Sequence, residues 1–215
     1  KLANELYDRY CQLGAAPGFA VDTYHESLLP LANLCAEMEI TGIKLDKSWA
    51  KRTDDEYSVK QIELAKKISR MDVIQAYAEQ KRIKYKDFVF NPGSSMQLRD
   101  VVFGKLGLES IKRTKKGGLQ STDQDVMEKL VGRHPFIQVY LDWKAITTRR
   151  NNFTIKFPTY CDANDLIHPH YNPIGTVTGR LSASEPPAHT FPKPEEEEDE
   201  KSMAKIRGMV ISRYP

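Results

Sequence analysis

Apolar residues recur every three or four positions through most of the chain, the spacing of one face of an α-helix. Leu2, Leu6, Tyr10 and Leu13 predict an amphipathic helix over residues 1–14, ended by Gly14 and the Ala-Pro-Gly that follows. A second helix, from Thr23 to about Ile40, turns Leu28, Leu31, Leu34, Cys35 and Met38 inward. Thr41-Gly42 stops it, Ile43-Lys44-Leu45-Asp46 makes a short extended return, and Asp46 is placed to cap the next helix. From Asp46 to about Gln80 one long helical segment carries Trp49, Thr53, Tyr57, Leu64, Ile68, Met71 and Tyr77 on a broad stripe. Lys51, Arg52, Lys60, Lys66 and Lys67 face away from it. Asn91, Ser94 and Ser95 are cap types ahead of a helix bearing Leu98, Val101, Val102 and Leu106. Ser121-x-x-Gln124 has the form of a capping box before Val126, Met127, Leu130 and Val131. A last helix, about Phe136 to Tyr160, includes Trp143, Ile146, Phe153 and Phe157.

The period then changes. Leu166-Ile-His-Pro-His-Tyr reads as a short strand. If the run from Thr176 is extended, side chains alternate faces. Thr176, Thr178, Arg180, Ser182 and Ser184 then form a polar row with a cation at its centre, opposite Val177, Gly179, Leu181 and Ala183. Such a row suits the minor groove of a duplex, whose acceptors differ little from one base pair to the next. A half-buried strand with a solvated face explains the alternation as well.

Two other stretches are candidates for holding phosphate. The turn at Asn91, Ser94, Ser95 and Gln97 opens a helix whose first amides carry partial positive charge, although simple capping accounts for those residue types too. Lys112, Arg113, Lys115 and Lys116 place four cations in five residues, in a glycine-containing loop that leads to Ser121 and Thr122. That loop lacks the spacing of a nucleotide-binding P-loop. Four such cations suit a row of phosphates, and an idle exposed loop is the alternative. His168-x-His170 has only Asp162 or Asp165 nearby to complete a ligand set, so no metal site is expected there.

Composition narrows this further. With 215 residues, 28% charged and 40% hydrophobic, the chain is an ordinary soluble protein of one or two domains. No apolar run approaches the ~20 residues of a membrane span, and nothing at Lys1 resembles a signal peptide. The first residues read as mid-helix, so the numbering is expected to begin inside a longer protein. Cys11, Cys35 and Cys161 form no close pair, which fits a reducing, cytoplasmic setting. Net charge is +3, but six negative charges sit in one block, Glu195 to Glu200, leaving +9 on the rest. A basic body suits a polyanionic partner, and a like-charge block near DNA should point away from it.

The residues at 176–182, T-x-T-G-R-L-S, closely resemble the segment by which family A DNA polymerases, the DNA polymerase I type, enter their palm. His168 and Tyr171 fall where that pattern has them. P-L-A-x-x-x-x-x-M-E-x-x-G-I-K-L-D at 30–46 and F-N-x-x-S-x-x-Q-L at 90–98 are also similar, as are the basic run 112–122 and Ile206-Arg207. The resemblance departs just downstream of the T-x-T-G-R-L-S motif. Pro187-Ala188-His189-Thr190-Phe191-Pro192 replaces the family's P-N-L-Q-N-I-P, so its duplex-touching amides are missing and His189 is a partial substitute.

The resemblance implies an α+β fold, mostly α, with a long-helix thumb followed by a short antiparallel β portion of a palm. Residues 1–21 would close a preceding exonuclease-like domain, 22–160 would be the thumb, and 161–215 the start of the palm. It implies a DNA-dependent DNA polymerase that grips primer-template DNA. Arg180 would lie along the minor groove, and Arg149 and Arg150 near the primer backbone. Mg2+ would serve the complete enzyme. Its carboxylates lie in D-Y-S-x-I-E-L-R and H-D-E segments that are absent here, so no catalytic or metal-binding residue is assigned to this chain. They are expected on a missing segment or a second polypeptide, as in a split polymerase, with phage origin and a nucleoid or host-cytoplasm location compatible. A non-catalytic DNA-binding subunit is the alternative, and a helical protein-binding scaffold is a third reading.

Overall fold

A computed structural model describes residues 22–114, 118–176, 178–191 and 206–213. The helix expected over residues 1–14 and the acidic block at 195–200 lie outside the described residues. Within them the fold is α+β and mostly helical. The chain divides into two compact units, one from Lys51 to Ile155 and one assembled from the two flanks. No described helix is long and apolar enough to cross a membrane.

All five strands among the described residues belong to the flanking unit. They are β1 Ile43–Leu45, β2 Leu166–Ile167, β3 His170–Asn172, β4 Ser182–Ser184 and β5 Val210–Ile211. The first helix, α1, spans Leu29–Thr41 and follows a π-helical turn at Tyr24–Leu28. Gly42 ends it at φ +69, where a Cβ would stand 2.8 Å from His168 Cε1 and 3.0 Å from the Ile167 carbonyl. Both the backbone angle and the space therefore call for glycine. The turn delivers β1 to the middle of an antiparallel sheet ordered β2-β1-β5, with Ile43 opposite Ile167 and Leu45 opposite Val210. Leu45 and Ile167 in these strands are buried, as are Ile206 and Met209.

The inward stripe expected on α1 is not observed. Only Cys35 is buried, while Leu34 is 51% exposed and Met38 36%. Leu29 and Ile40 are exposed as well, so apolar residues ring this helix and the described residues cover only the side of Cys35. Leu166 to Tyr171 is likewise two strands in two sheets rather than one. Pro169 separates them, and it has no N–H to continue a ladder.

Helix α2, Lys47–Ser69, starts where expected, with Trp49 N donating to Asp46 Oδ1 at 2.8 Å. The single helix expected to reach Gln80 is broken at Arg70 and Met71. Met71 is extended, and the amides of Ile74 and Gln75 turn to its carbonyl at 2.9 and 3.0 Å, restarting the chain as α3, Asp72–Arg82. The apolar spacing of Ile68, Met71, Ile74 and Tyr77 runs through the break and hides it.

Three more helices complete the second unit: α4 Ser95–Arg99, α5 Gln124–Lys129 and α6 Pro135–Arg149. π-helical turns extend α4 over Asp100–Lys105 and α6 over Arg150–Ile155. Val101, Val102, Met127, Phe136 and Ile137 are wholly buried. Each such side chain contributes about 1.5–3 kcal/mol by leaving water. Rings run through this core from Tyr77 to Phe90 to Phe136 to Tyr140, with centroids 6.0 to 6.3 Å apart. Burial pushes the Tyr140 phenol up to about 12.

Candidate nucleic-acid interface

In the flanking unit, β3 and β4 form an antiparallel hairpin with Tyr171 opposite Ala183 and Asn172 opposite Ser182. The alternation expected from Thr176 holds only for Ser182–Ser184, where Ala183 is buried between two more exposed serines. Residues 173–181 are the connecting loop. Gly179, at φ +72, donates its amide to the Thr176 carbonyl at 3.2 Å. A Cβ on Gly175 would stand 2.6 Å from Ser182 Oγ, so this glycine permits a close approach inside the loop. Leu181 is 37% exposed rather than packed, and Val177 lies outside the described residues.

The loop gathers the candidate polar groups by other means. Thr176 Oγ1 donates to the Arg180 carbonyl at 2.7 Å, Thr178 Oγ1 lies 3.5 Å from Thr176 Oγ1, and Ser182 Oγ donates to Asn172 O at 3.4 Å. Arg180 is exposed, and its guanidinium has no hydrogen bond or ion pair among the described residues. His189 sits on a single 3₁₀ turn, Ala188–Thr190, and its Nδ1 accepts from the Ala183 amide at 3.1 Å. In the neutral ring that bond leaves the proton on Nε2, which faces away from the accepting nitrogen.

Glu39 anchors the hairpin to α1. Its Oε1 accepts from Tyr171 N at 2.6 Å and lies 3.1 Å from His170 Nδ1. Its carbonyl accepts from His168 Nδ1 at 2.6 Å. His168 Nε2 is 3.5 Å from Asp162 Oδ2. The backbone amide of Leu166, together with the Asn164 amide and the His168 ring, holds the Asp162 carboxyl below its ordinary range against partial desolvation. No group of three metal-ligating side chains is assembled among the described residues.

In the second unit, Asn91 Oδ1 accepts from Gly93 N at 2.8 Å and Asn91 N donates to Gln97 Oε1 at 2.8 Å. Ser94 caps α4 by accepting from Gln97 N at 3.4 Å, and Ser95 is exposed beside it. Asn91, Ser94, Ser95 and Gln97 are thus one preorganised turn. The basic loop closes on itself through an Arg113–Gln120 bridge, with Thr114 N donating to Leu119 O at 2.7 Å. Arg99 Nε holds Gln120 O at 2.8 Å, and Arg113 Nη1 holds Gly118 O at 3.1 Å. Lys112 Nζ is 3.3 Å from Asp123 Oδ2. Lys115 and Lys116 lie outside the described residues.

Two candidates are engaged internally. Ser121 is 1% exposed and its hydroxyl accepts from Asp123 N at 3.1 Å. Asp123, not Ser121, is the N-cap of α5, because the turn consumes two residues before the helix begins; Thr122 between them is half-buried. Arg150 forks onto Asp54 through Nε at 2.9 Å and Nη2 at 3.2 Å, with Nη1 on Gln61 Oε1 at 2.8 Å. Thr154 Oγ1 adds a bond to Asp54 at 2.8 Å. Arg150 therefore ties α2 to the end of α6 instead of standing ready for a phosphate. Arg149 is half-buried and has an interaction of its own within the chain.

Known proteins share sequence and fold with this chain. Residues 60–214 match the pattern of DNA polymerase family A. The chain is 32% identical over 176 residues to the thermostable DNA polymerase I of Thermus aquaticus, covering 79% of this chain and 19% of that protein. It is 38% identical over 103 residues to a DNA polymerase of Bacillus phage SP01, covering 48% and 11% respectively. Among solved structures, it resembles the POL domain of Pol1 from M. smegmatis in complex with DNA primer-template and dNTP. That match has a TM-score of 0.68 and 26% identity, and covers 86% of this chain and 29% of that one. The chain spans about a fifth of the length of the DNA polymerase I relatives it matches. With the family pattern covering most of its residues, this chain belongs to DNA polymerase family A.

Proposed function

We propose that this chain carries primer-template-gripping surfaces of a DNA-dependent DNA polymerase. In this reading residues 22–160 are the thumb, 161–215 begin the palm, and residues 1–21 close an exonuclease-like domain. The observation that carries it is Arg180, exposed on a hydroxyl-lined loop with no partner for its guanidinium among the described residues. Arg180 donates to minor-groove acceptors, assisted by Thr176, Thr178 and Ser182, with the Nε2 side of His189 beside the same hairpin. The second unit adds its own backbone contacts at Asn91, Ser94, Ser95 and Gln97, and at Lys112, Arg113, Lys115 and Lys116. Such contacts hold DNA without reading its sequence.

Mg2+ would supply the metal-ion chemistry of nucleotidyl transfer in the complete enzyme. The described residues do not fit such a site, and in this reading its carboxylates are carried elsewhere, on the same polypeptide or a second one. Replacing Arg180 by alanine tests the reading. Primer-template affinity, followed by fluorescence anisotropy, should fall roughly ten- to a hundredfold, the worth of charged hydrogen bonds. Unchanged affinity would point to the helical-scaffold reading. Primer extension on adding a polypeptide that bears the carboxylate segments separates a two-chain enzyme from a subunit that only binds.

A further inference from the structure

Between α3 and the turn Asp100–Lys105, the second unit opens a depression of about 560 Å³, lined by residues that include Tyr77, Lys81, Lys84, Tyr85, Asp100 and Lys105. That volume is in the range of small-ligand sites. Its floor is close to neutral. Asp100 Oδ2 accepts from Tyr77 OH at 3.0 Å and pairs with Lys81 Nζ at 3.2 Å, so the carboxylate and the ammonium cancel. Its rim is basic. Lys84 and Lys105 are exposed, and neither has an ion pair among the described residues.

Tyr85 stands beside that rim with 54% of its surface exposed, and Lys84 Nζ is 5.6 Å from its ring centroid. The turn that presents it is well held. Tyr85 N donates to Lys81 O at 2.9 Å, Phe88 N to Tyr85 O at 3.1 Å, and Arg82 Nε to Phe88 O at 3.2 Å. Phe88 packs edge-on against Tyr77 at 5.7 Å. An exposed aromatic ring beside cations, on a preorganised turn, is the combination that retains single strands, because an unpaired base has a free face to stack. Bases inside a duplex already stack on each other and leave Tyr85 no such face. With no net positive charge on the floor, phosphates are drawn to the rim rather than into the depression.

We propose that this depression binds single-stranded nucleic acid, with one unpaired base stacked on Tyr85 and neighbouring phosphates on Lys84 and Lys105. The inference goes beyond the duplex grip and uses none of its residues, so either can fail alone. The test uses the full chain with a labelled oligothymidine of about a dozen nucleotides, a length near one single-strand site, and separately with a blunt duplex. Tyr85→Ala should weaken oligothymidine binding about fivefold or more, the worth of one stacked base, while Tyr85→Phe retains it. Lys84→Ala with Lys105→Ala should lower the log–log salt slope by roughly 0.7 for each phosphate no longer neutralised. The blunt duplex should be unaffected by these changes and weakened by Arg180→Ala. If Tyr85→Ala leaves oligothymidine affinity unchanged, the inference is wrong. It is equally wrong if poly-glutamate binds as tightly as oligothymidine, since the rim would then hold any acidic polymer.

Discussion

Two glycines with the same backbone hand show how neighbours decide what a residue tolerates. Gly42 and Gly107 both have positive φ, at +69 and +63, but only Gly42 lacks space for a Cβ. Gly42→Ala should cost about 1–3 kcal/mol, combining backbone strain with displacement of His168. Gly107→Ala should cost only the strain, so equal shifts in denaturant midpoint for the two would contradict the reading. Position 42 was legible as a turn, whereas its closeness to His168 was not, because the two lie 126 positions apart. Asp54 gives a second residue-scale prediction. Desolvation pushes its carboxyl up, but hydrogen bonds from Arg150 and Thr154 and the charge of Arg150 outweigh this and hold it below its usual 3.8. A lowered carboxylate stabilises the fold above its unfolded value and ceases to do so as pH falls through the folded value. Stability from this interaction should therefore be complete above about pH 4 and fade below it. Asp54→Asn, melted in urea across that window, should lose stability at neutral pH and show a shallower decline in acid.

At the scale of elements, caps were more legible than interruptions. Asp46 announces the start of α2 by its type and position, and the structure shows its carboxylate on the Trp49 amide. Asp46→Ala should cost about 1 kcal/mol, and Asp46→Ser should recover most of it; chemical denaturation of the three proteins reads this directly. The break at Met71 could not be seen, because helix period continues across it and no proline or glycine marks it. What sets it is a local exchange of partners, with Gln75 Nε2 donating to Ser69 O at 2.5 Å where the helical ladder stops. The hairpin is concealed for the opposite reason. Its alternation from Thr176 to Ser184 is real in sequence, but Gly175 and Gly179 let the chain turn instead of extending.

For the whole molecule, charge and family set the expectations. A basic body gripping a polyanion should bind unrelated duplexes equally and lose affinity steeply with salt. On a duplex, every phosphate that ceases to be neutralised should lower the log–log salt slope by roughly 0.9. Lys115→Ala with Lys116→Ala should therefore flatten it by nearly two, and an unchanged slope would remove the basic loop from the interface. By itself the sequence determined the helical class, the turn at Gly42, the cap at Asp46 and the polymerase relationship. Each of these rests on residue type and short-range spacing, which the chain carries locally. Only tertiary structure decided that Arg150 is engaged by Asp54, 96 residues away, while Arg180 remains open to solvent. A guanidinium reads the same in either setting; whether it meets a carboxylate or water depends on which distant segments the fold brings beside it.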